Sequence, residues 1–148
     1  MFVVDTNVLI YAANEAADEH RKCRERIEAW RRSDLPWYLT WPILYEFARV
    51  ATHPRVLPAP WSALRAWEFV EALLASPSLT MLQPTRRHTA VARQTLSELP
   101  SLAGNVLHDT HTAVLMREHG IRTIYTRDTD FRRFPFLKVL DPLELHEG

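Results

Sequence analysis

The chain opens on an apolar run, Phe2-Val3-Val4, that stops at Asp5-Thr6-Asn7. The arrangement returns near the other end, where Arg122–Tyr125 runs into Thr126-Arg127-Asp128-Thr129-Asp130-Phe131. Short apolar and β-branched runs bounded by polar turn formers read as strands. Trp37–Leu39, Thr80–Leu82 and Lys138–Leu140 fit the same description, the last closed by Asp141-Pro142. Between these runs the apolar spacing changes to three and four residues, the period of a helix with one buried face. Helices are expected at Asn7–Ala13, Ala16–Arg32, Thr40–Thr52, Trp61–Ala75, Arg86–Leu99 and Asn105–His119. Cys23, Ile27 and Trp30 share one face of the second. Thr40 caps the third, with Pro42 in its first turn, and Gly120 stops the sixth. Strands alternating with helices predict an α/β protein, a three-layer α/β/α sandwich around a central parallel sheet, formed by residues 1–148 as a single domain.

In such a sheet, ligand sites form beyond the carboxyl ends of the strands. Asp5, Asp128 and Asp130 each follow a strand. Glu46 shares a helix with Ile43 and Val50, three and four residues away, which places it on the expected buried face. Asp109 lies in the first turn of its helix, on the side of Val106, Ala113 and Met116. Each acid has an ordinary structural use. Asp5 suits a helix N-cap, Glu46 suits a pair with Arg49, Asp109 suits a helix dipole, and Asp128 and Asp130 suit a turn. The set carries more than its members, because four segments each bring an acid to a strand end or an inner helix face. Clustered carboxylates repel one another and are held together by a hard cation such as Mg²⁺ or Mn²⁺, which points to metal-dependent phosphoryl transfer. His108 and His111 flank Asp109. A site of that kind prefers oxygen, so they read as surface or outer groups. Phe131 is expected to anchor its turn in the core.

Other chemistries fall away. With three glycines, at 104, 120 and 148, the chain holds neither a dinucleotide fingerprint nor a phosphate-binding Walker loop. No G-x-S-x-G elbow occurs, and Asp5-Thr6-Asn7 lacks the second Asp of an aspartyl-nucleophile phosphatase. No apolar run approaches the roughly 20 residues of a membrane span. The first residues read as strand without a basic leader, so no signal peptide is expected. Cys23 is the single cysteine, which fits a reducing, cytoplasmic setting. The 18 bases and 18 acids balance, but that figure hides a division. If Asp5, Glu46, Asp109, Asp128 and Asp130 are neutralised by metal, 13 acids face 18 bases elsewhere, a modest excess suited to an anionic partner. Sixteen of the bases are Arg, whose planar fork fits phosphate.

Asp5-Thr6-Asn7, a helical Glu46, Asp109-Thr110-His111-Thr112-Ala113 and Thr126-Arg127-Asp128-Thr129-Asp130-Phe131, in that order, resemble the PIN domain. More narrowly they are similar to the VapC-type toxins of bacterial type II toxin–antitoxin modules. The likeness spans essentially the whole chain. It implies an Mg²⁺- or Mn²⁺-dependent endoribonuclease with Asp5, Glu46, Asp109 and Asp128 as catalytic, metal-binding acids. Asp130 matches a more variable fifth position. Asp128 stands where many relatives carry Asn. Thr6, Asn7 and Thr126 match small polar positions near the site, and Arg127 is a candidate phosphate contact, with Arg132, Arg133, Arg86 and Arg87 behind it. The resemblance also implies an RNA substrate, a homodimer and a cognate antitoxin. Trp37, Trp41, Tyr45, Trp61 and Trp67 lie in the segments suited to a helical groove for it, at least two as anchors and the others as core or half-buried residues. A PIN nuclease of RNA processing, a non-catalytic binding module and a structure-specific DNA nuclease are the competing readings.

Overall fold

The computed structural model describes residues 1–144; the last four residues of the expected 1–148 domain lie outside the described residues. Five strands form one sheet: β1 (Phe2–Val4), β2 (Trp37–Leu39), β3 (Leu79–Met81), β4 (Thr123–Tyr125) and β5 (Lys138–Leu140). Their spatial order is β3-β2-β1-β4-β5, and every pair is parallel. Central β1 is buried along its whole length, with Val3 and Val4 at 0% exposure. That burial explains why it is a continuous apolar run rather than an alternating one.

Six helices connect the strands: α1 (Thr6–Ala13), α2 (His20–Arg32), α3 (Trp41–Ala51), α4 (Ala63–Leu74), α5 (His88–Glu98) and α6 (Val106–Glu118). The sheet grows outward from β1 through β2 to β3. It then reverses, and β4 pairs on the other side of β1. Right-handed crossovers put α1–α4 on one face and α5 and α6 on the other. The helix packing agrees: α1 lies against α2 and α3, α3 against α4, and α5 against α6. The expected three-layer sandwich is therefore the observed architecture.

Boundaries differ from expectation where local hydrogen bonds intervene. The second helix starts at His20 rather than Ala16, because Asn14 Oδ1 accepts from the Ala16 amide at 3.1 Å and holds the chain in a turn. The fourth starts at Ala63, since Ser62 caps it by accepting from the Arg65 amide at 3.1 Å. Strand β3 pairs one residue earlier than its apolar run indicates. Gly120 does end α6, at φ +69°, and the Ile121 amide returns to Met116 O at 2.9 Å.

The tryptophans divide between roles. Trp37 is fully buried on β2 and donates from Nε1 to Ser76 Oγ at 3.3 Å. It is a core residue and supplies no groove, because a β2 side chain is covered by the helical layer. Trp61 and Trp67 lean on the core, while Trp41 and Tyr45 are exposed on α3. Phe131 is fully buried, as its position in the turn predicts. Truncating Trp37 to Ala should cost about 3–5 kcal/mol of folding free energy, the usual range for a buried aromatic. Urea unfolding of the purified protein measures it, and a loss under about 1 kcal/mol would contradict this packing.

Candidate active site

The order reversal between β1 and β4 is where a parallel sheet opens a crevice. Val4 pairs with Tyr125, so the next residues, Asp5 and Thr126, emerge side by side. The Asp5 amide donates to Tyr125 O at 3.0 Å, and Thr126 Oγ1 donates to Asp5 Oδ2 at 2.7 Å. Asp5 Oδ1 also caps α1 by accepting from the Thr6 amide at 2.8 Å. Asn7 closes the arrangement by donating from Nδ2 to Thr126 Oγ1 at 2.9 Å and to Asp5 Oδ2 at 3.3 Å. Thr126 Oγ1 in turn accepts from the Asp128 amide at 2.9 Å, and Asp128 Oδ1 accepts from the Asp130 amide at 2.8 Å. A chain of hydrogen bonds thus runs from α1 into the 3₁₀ turn Thr129–Arg133.

Asp109 reaches this edge from the first turn of α6. One carboxylate oxygen each from Asp109, Asp128 and Asp130 lies within 4.8 Å of the others. Among the described residues, this is the one set of three or more His, Cys, Asp or Glu side chains close enough to share an ion. A cleft of about 920 Å³ covers the edge. All five expected acids, Asp5, Glu46, Asp109, Asp128 and Asp130, line it, together with Thr6 and Asn7. All-oxygen donors around one point suit a hard divalent cation.

Electrostatics bear the marks of crowding. Burial first, then the charges of Asp128, Asp5 and Asp130, push the Asp109 carboxyl up to about 7. Burial also raises Asp5; hydrogen bonds from Thr126 and Thr6 work against that, and Asp128 and Glu46 add to it. Glu46 moves the other way. The Arg49 guanidinium binds it through Nη2 at 2.6 Å and Nε at 3.0 Å and holds its carboxyl below the usual range.

Three expectations change. Glu46 is exposed rather than on the buried face, because a side chain flanked by Ile43 and Val50 sits at the margin of their stripe. Arg127 does not line the cleft. Its guanidinium pairs with Glu19 at 2.8 Å and Asp141 at 3.3 Å, tying the turn to α2 and to the segment after β5. Thr126 is buried and serves the carboxylates instead of facing the cleft. Sequence reasoning placed His108 and His111 outside, yet both line the cleft, as do Arg49, Asn105 and Thr112. Helical spacing was the available signal, since 105, 108, 109 and 112 recur on one face of α6. Burial, and then His88 beside it, hold the His111 imidazole below its ordinary 6.5. The two rings meet edge to face at 5.8 Å, and His88 is itself bound to Glu118.

Residues 2–137 match the family model described as the PIN domain. The chain belongs to the PIN domain family. Curated relatives include Ribonuclease VapC43 of Mycobacterium tuberculosis, 37% identical over 144 residues, or 97% of each chain. Ribonuclease VapC48 of the same species is 33% identical over 138 residues, 93% of this chain and 94% of that one. Among solved structures, VapBC2 from Rickettsia felis bound to a promoter DNA fragment superposes with a TM-score of 0.67 at 17% identity. That match covers 95% of this chain and 97% of the other. The sarcin-ricin-loop-cleaving toxin VapC20 of M. tuberculosis gives 0.61 at 19% identity, over 89% of this PIN domain and 93% of that chain. These distant structures share the fold; the identities above 30% extend the kinship along nearly the whole sequence.

The crowding of carboxylates in this PIN domain has a pH signature. In the native state Asp109 keeps its proton up to about pH 7, whereas the unfolded carboxyl loses it near 3.8. Between those values the native state binds more protons, so its stability falls as pH rises and levels off above about 7. Asp5 acts in the same sense. His111, held low, acts in the opposite sense around 6.5, so the informative comparison is with Asp109→Asn. In EDTA, the variant should be more stable than the native protein at pH 8, and the gap should close toward pH 4. Thermal melts across that range test it; a gap independent of pH would place Asp109 outside the crowded cluster.

Proposed function

We propose that this PIN domain is a metal-dependent endoribonuclease, the toxin of a toxin–antitoxin module, spanning residues 1–148. The convergence of the Asp109, Asp128 and Asp130 oxygens at the open edge of the sheet carries this reading. The names of its relatives as VapC ribonucleases support the RNA specificity. Neighbours solved as VapBC assemblies support an antitoxin partner.

The residue roles follow from the hydrogen-bond pattern. Asp109, Asp128 and Asp130 would hold a divalent cation, Mg²⁺ or Mn²⁺, with Asp5 and Glu46 on its rim. When bound, the ion supplies Lewis acidity that lowers the pKa of water and draws charge off a phosphate. Thr126 and Asn7 orient Asp5, keeping its Oδ2 committed to donors and leaving the carboxylate fixed rather than free to rotate. Thr6 donates to Ile43 O at 3.3 Å, joining α1 to α3 under the cleft and setting the distance between Asp5 and Glu46. Hydrolysis of a phosphodiester here leaves a 5′-phosphate and a 3′-hydroxyl. An unpaired strand or loop is the substrate shape that enters such a cleft, because its backbone can bend and its bases are free. The same reading includes a cytoplasmic setting and a homodimer. The exposed Trp41, Tyr45 and Leu64 on α3 and α4 are the aromatic and aliphatic anchors suited to a protein partner.

The test is cleavage of total RNA and transfer RNA in Mg²⁺, Mn²⁺ or EDTA, beside Asp5→Asn and Asp109→Asn. Metal-dependent fragments should disappear in both variants. The loss should exceed the roughly 10–100-fold typical of groups that only orient a metal ligand. Equal cleavage by variants and native protein would overturn the site. No cleavage, with a melting temperature unmoved by metal, would indicate a binding module instead.

A further inference from the structure

Five carboxylates line the cleft, against one side chain with a permanent positive charge among the described lining residues, Arg49. That guanidinium is engaged. It stands one turn along α3 from Glu46 and grips both carboxylate oxygens, at 2.6 and 3.0 Å. Both partners remain open to solvent, Arg49 at 64% and Glu46 at 47% side-chain exposure. An exposed pair within one helix is weak, so little holds it closed. Yet its shape is the fork-to-fork match by which Arg also binds phosphate oxygens.

We infer that Arg49 is a substrate-binding residue, held by Glu46 until Glu46 is drawn toward a cation and then released to grip a phosphate of the RNA strand. The inference rests on the metal-dependent ribonuclease reading and adds to it a residue and an order of events. A cation that draws on the Glu46 oxygens competes with Arg49 for the same negative charge and weakens the pair. Binding of the ion therefore loosens the hold on Arg49, the one guanidinium among the described lining residues, as the acids around it are neutralised. Before that, the crowded carboxylates and an occupied Arg49 oppose a polyanion. Afterwards the cleft presents an ion and a free fork. Arg49 bonds to phosphate through two parallel N–H donors; no covalent bond changes at this residue.

A double-mutant cycle separates this device from simple charge. The probe is a short single-stranded oligoribonucleotide with phosphorothioate linkages, followed by fluorescence anisotropy. In EDTA, Glu46→Gln should tighten binding about two- to fivefold when Arg49 is present, the range that releasing an exposed ion pair yields. It should do much less in the Arg49→Ala background. If removing Glu46 merely lowers negative charge, the two gains are equal and the inference fails. In Mn²⁺, Arg49→Ala should weaken binding about tenfold or more, and Arg49→Lys should recover only part, since an ammonium lacks the fork. No loss in Mn²⁺ would also overturn it. Titration of protein alone with Mn²⁺ gives a third readout. Arg49→Ala should tighten the metal about two- to fivefold, the range an exposed ion pair yields, and only while Glu46 is present. A native protein that binds no Mn²⁺ would defeat the metal-dependent reading itself. The EDTA cycle would still judge whether Glu46 restrains Arg49. Both residues are exposed, so the variants are expected to fold, and matching far-UV spectra and melts verify it.

Discussion

The parallel register of β1 against β4 is the constraint from which the site follows. Val4 opposite Tyr125 brings Asp5 and Thr126 out of the sheet as neighbours, although 121 positions separate them in the chain. A slip of one residue would turn Asp5 toward the other face and break its bond to Thr126. Buried Val3, Val4 and Ile124 prevent that slip, since each would have to leave the packed layer it fits for the opposite one. The site is therefore secured by apolar burial, while its own polar groups contribute alignment.

Parallel strands carry a second consequence. All five end at the same edge, and helices that cross back over the sheet begin there. α1 starts directly after β1, and α6 starts at this edge because it leads straight back into β4. Helix N-termini carry partial positive charge, which favours carboxylates close to them. Asp5 caps α1, and Asp109 lies in the first turn of α6. The fold thus offsets part of the repulsion it creates. The remainder is visible in Asp109, still pushed up to about 7. A protein seeking stability alone would not place five acids here. Paired to a cation, the same crowding becomes affinity, because the repulsion relieved on binding adds to the attraction gained.

Much of this was legible in the sequence. The change of period from helix to strand gave each element, and the caps Asp5, Thr40 and Gly120 act as their residue types predict. The five acids could be found because their chain positions coincide with strand ends and helix first turns, where topology does the gathering. What could not be read was the direction of individual side chains. Glu46 stands three residues after Ile43 and four before Val50, yet it is exposed: 100° steps leave a residue at the stripe's edge free to turn either way. Arg127 follows a strand beside the acids, but Glu19 and Asp141 claim it, and both are distant in sequence. Trp37 reads equally as an interface anchor or a core residue until β2 is known to lie inside the sheet. His111 reads as peripheral beside an oxygen site, yet it lines the cleft from α6 with its ring against His88 of α5. Periodicity carries elements; partners far apart in sequence decide orientation.

The balance of charge ties these observations together. The chain as a whole is neutral, yet its cleft is strongly acidic, so the rest of the surface must be basic in proportion. For a polyanionic substrate, that division attracts over the basic surround and repels at the cleft. A cation resolves the conflict, because it removes the repulsion only at the acids and leaves the basic surround intact. Charge distribution alone then makes metal binding and substrate binding favour one another, whichever arrives first, since each lowers the field opposing the other. The Arg49–Glu46 pair sharpens that coupling from a diffuse field into a contact between two named side chains, three residues apart on one helix.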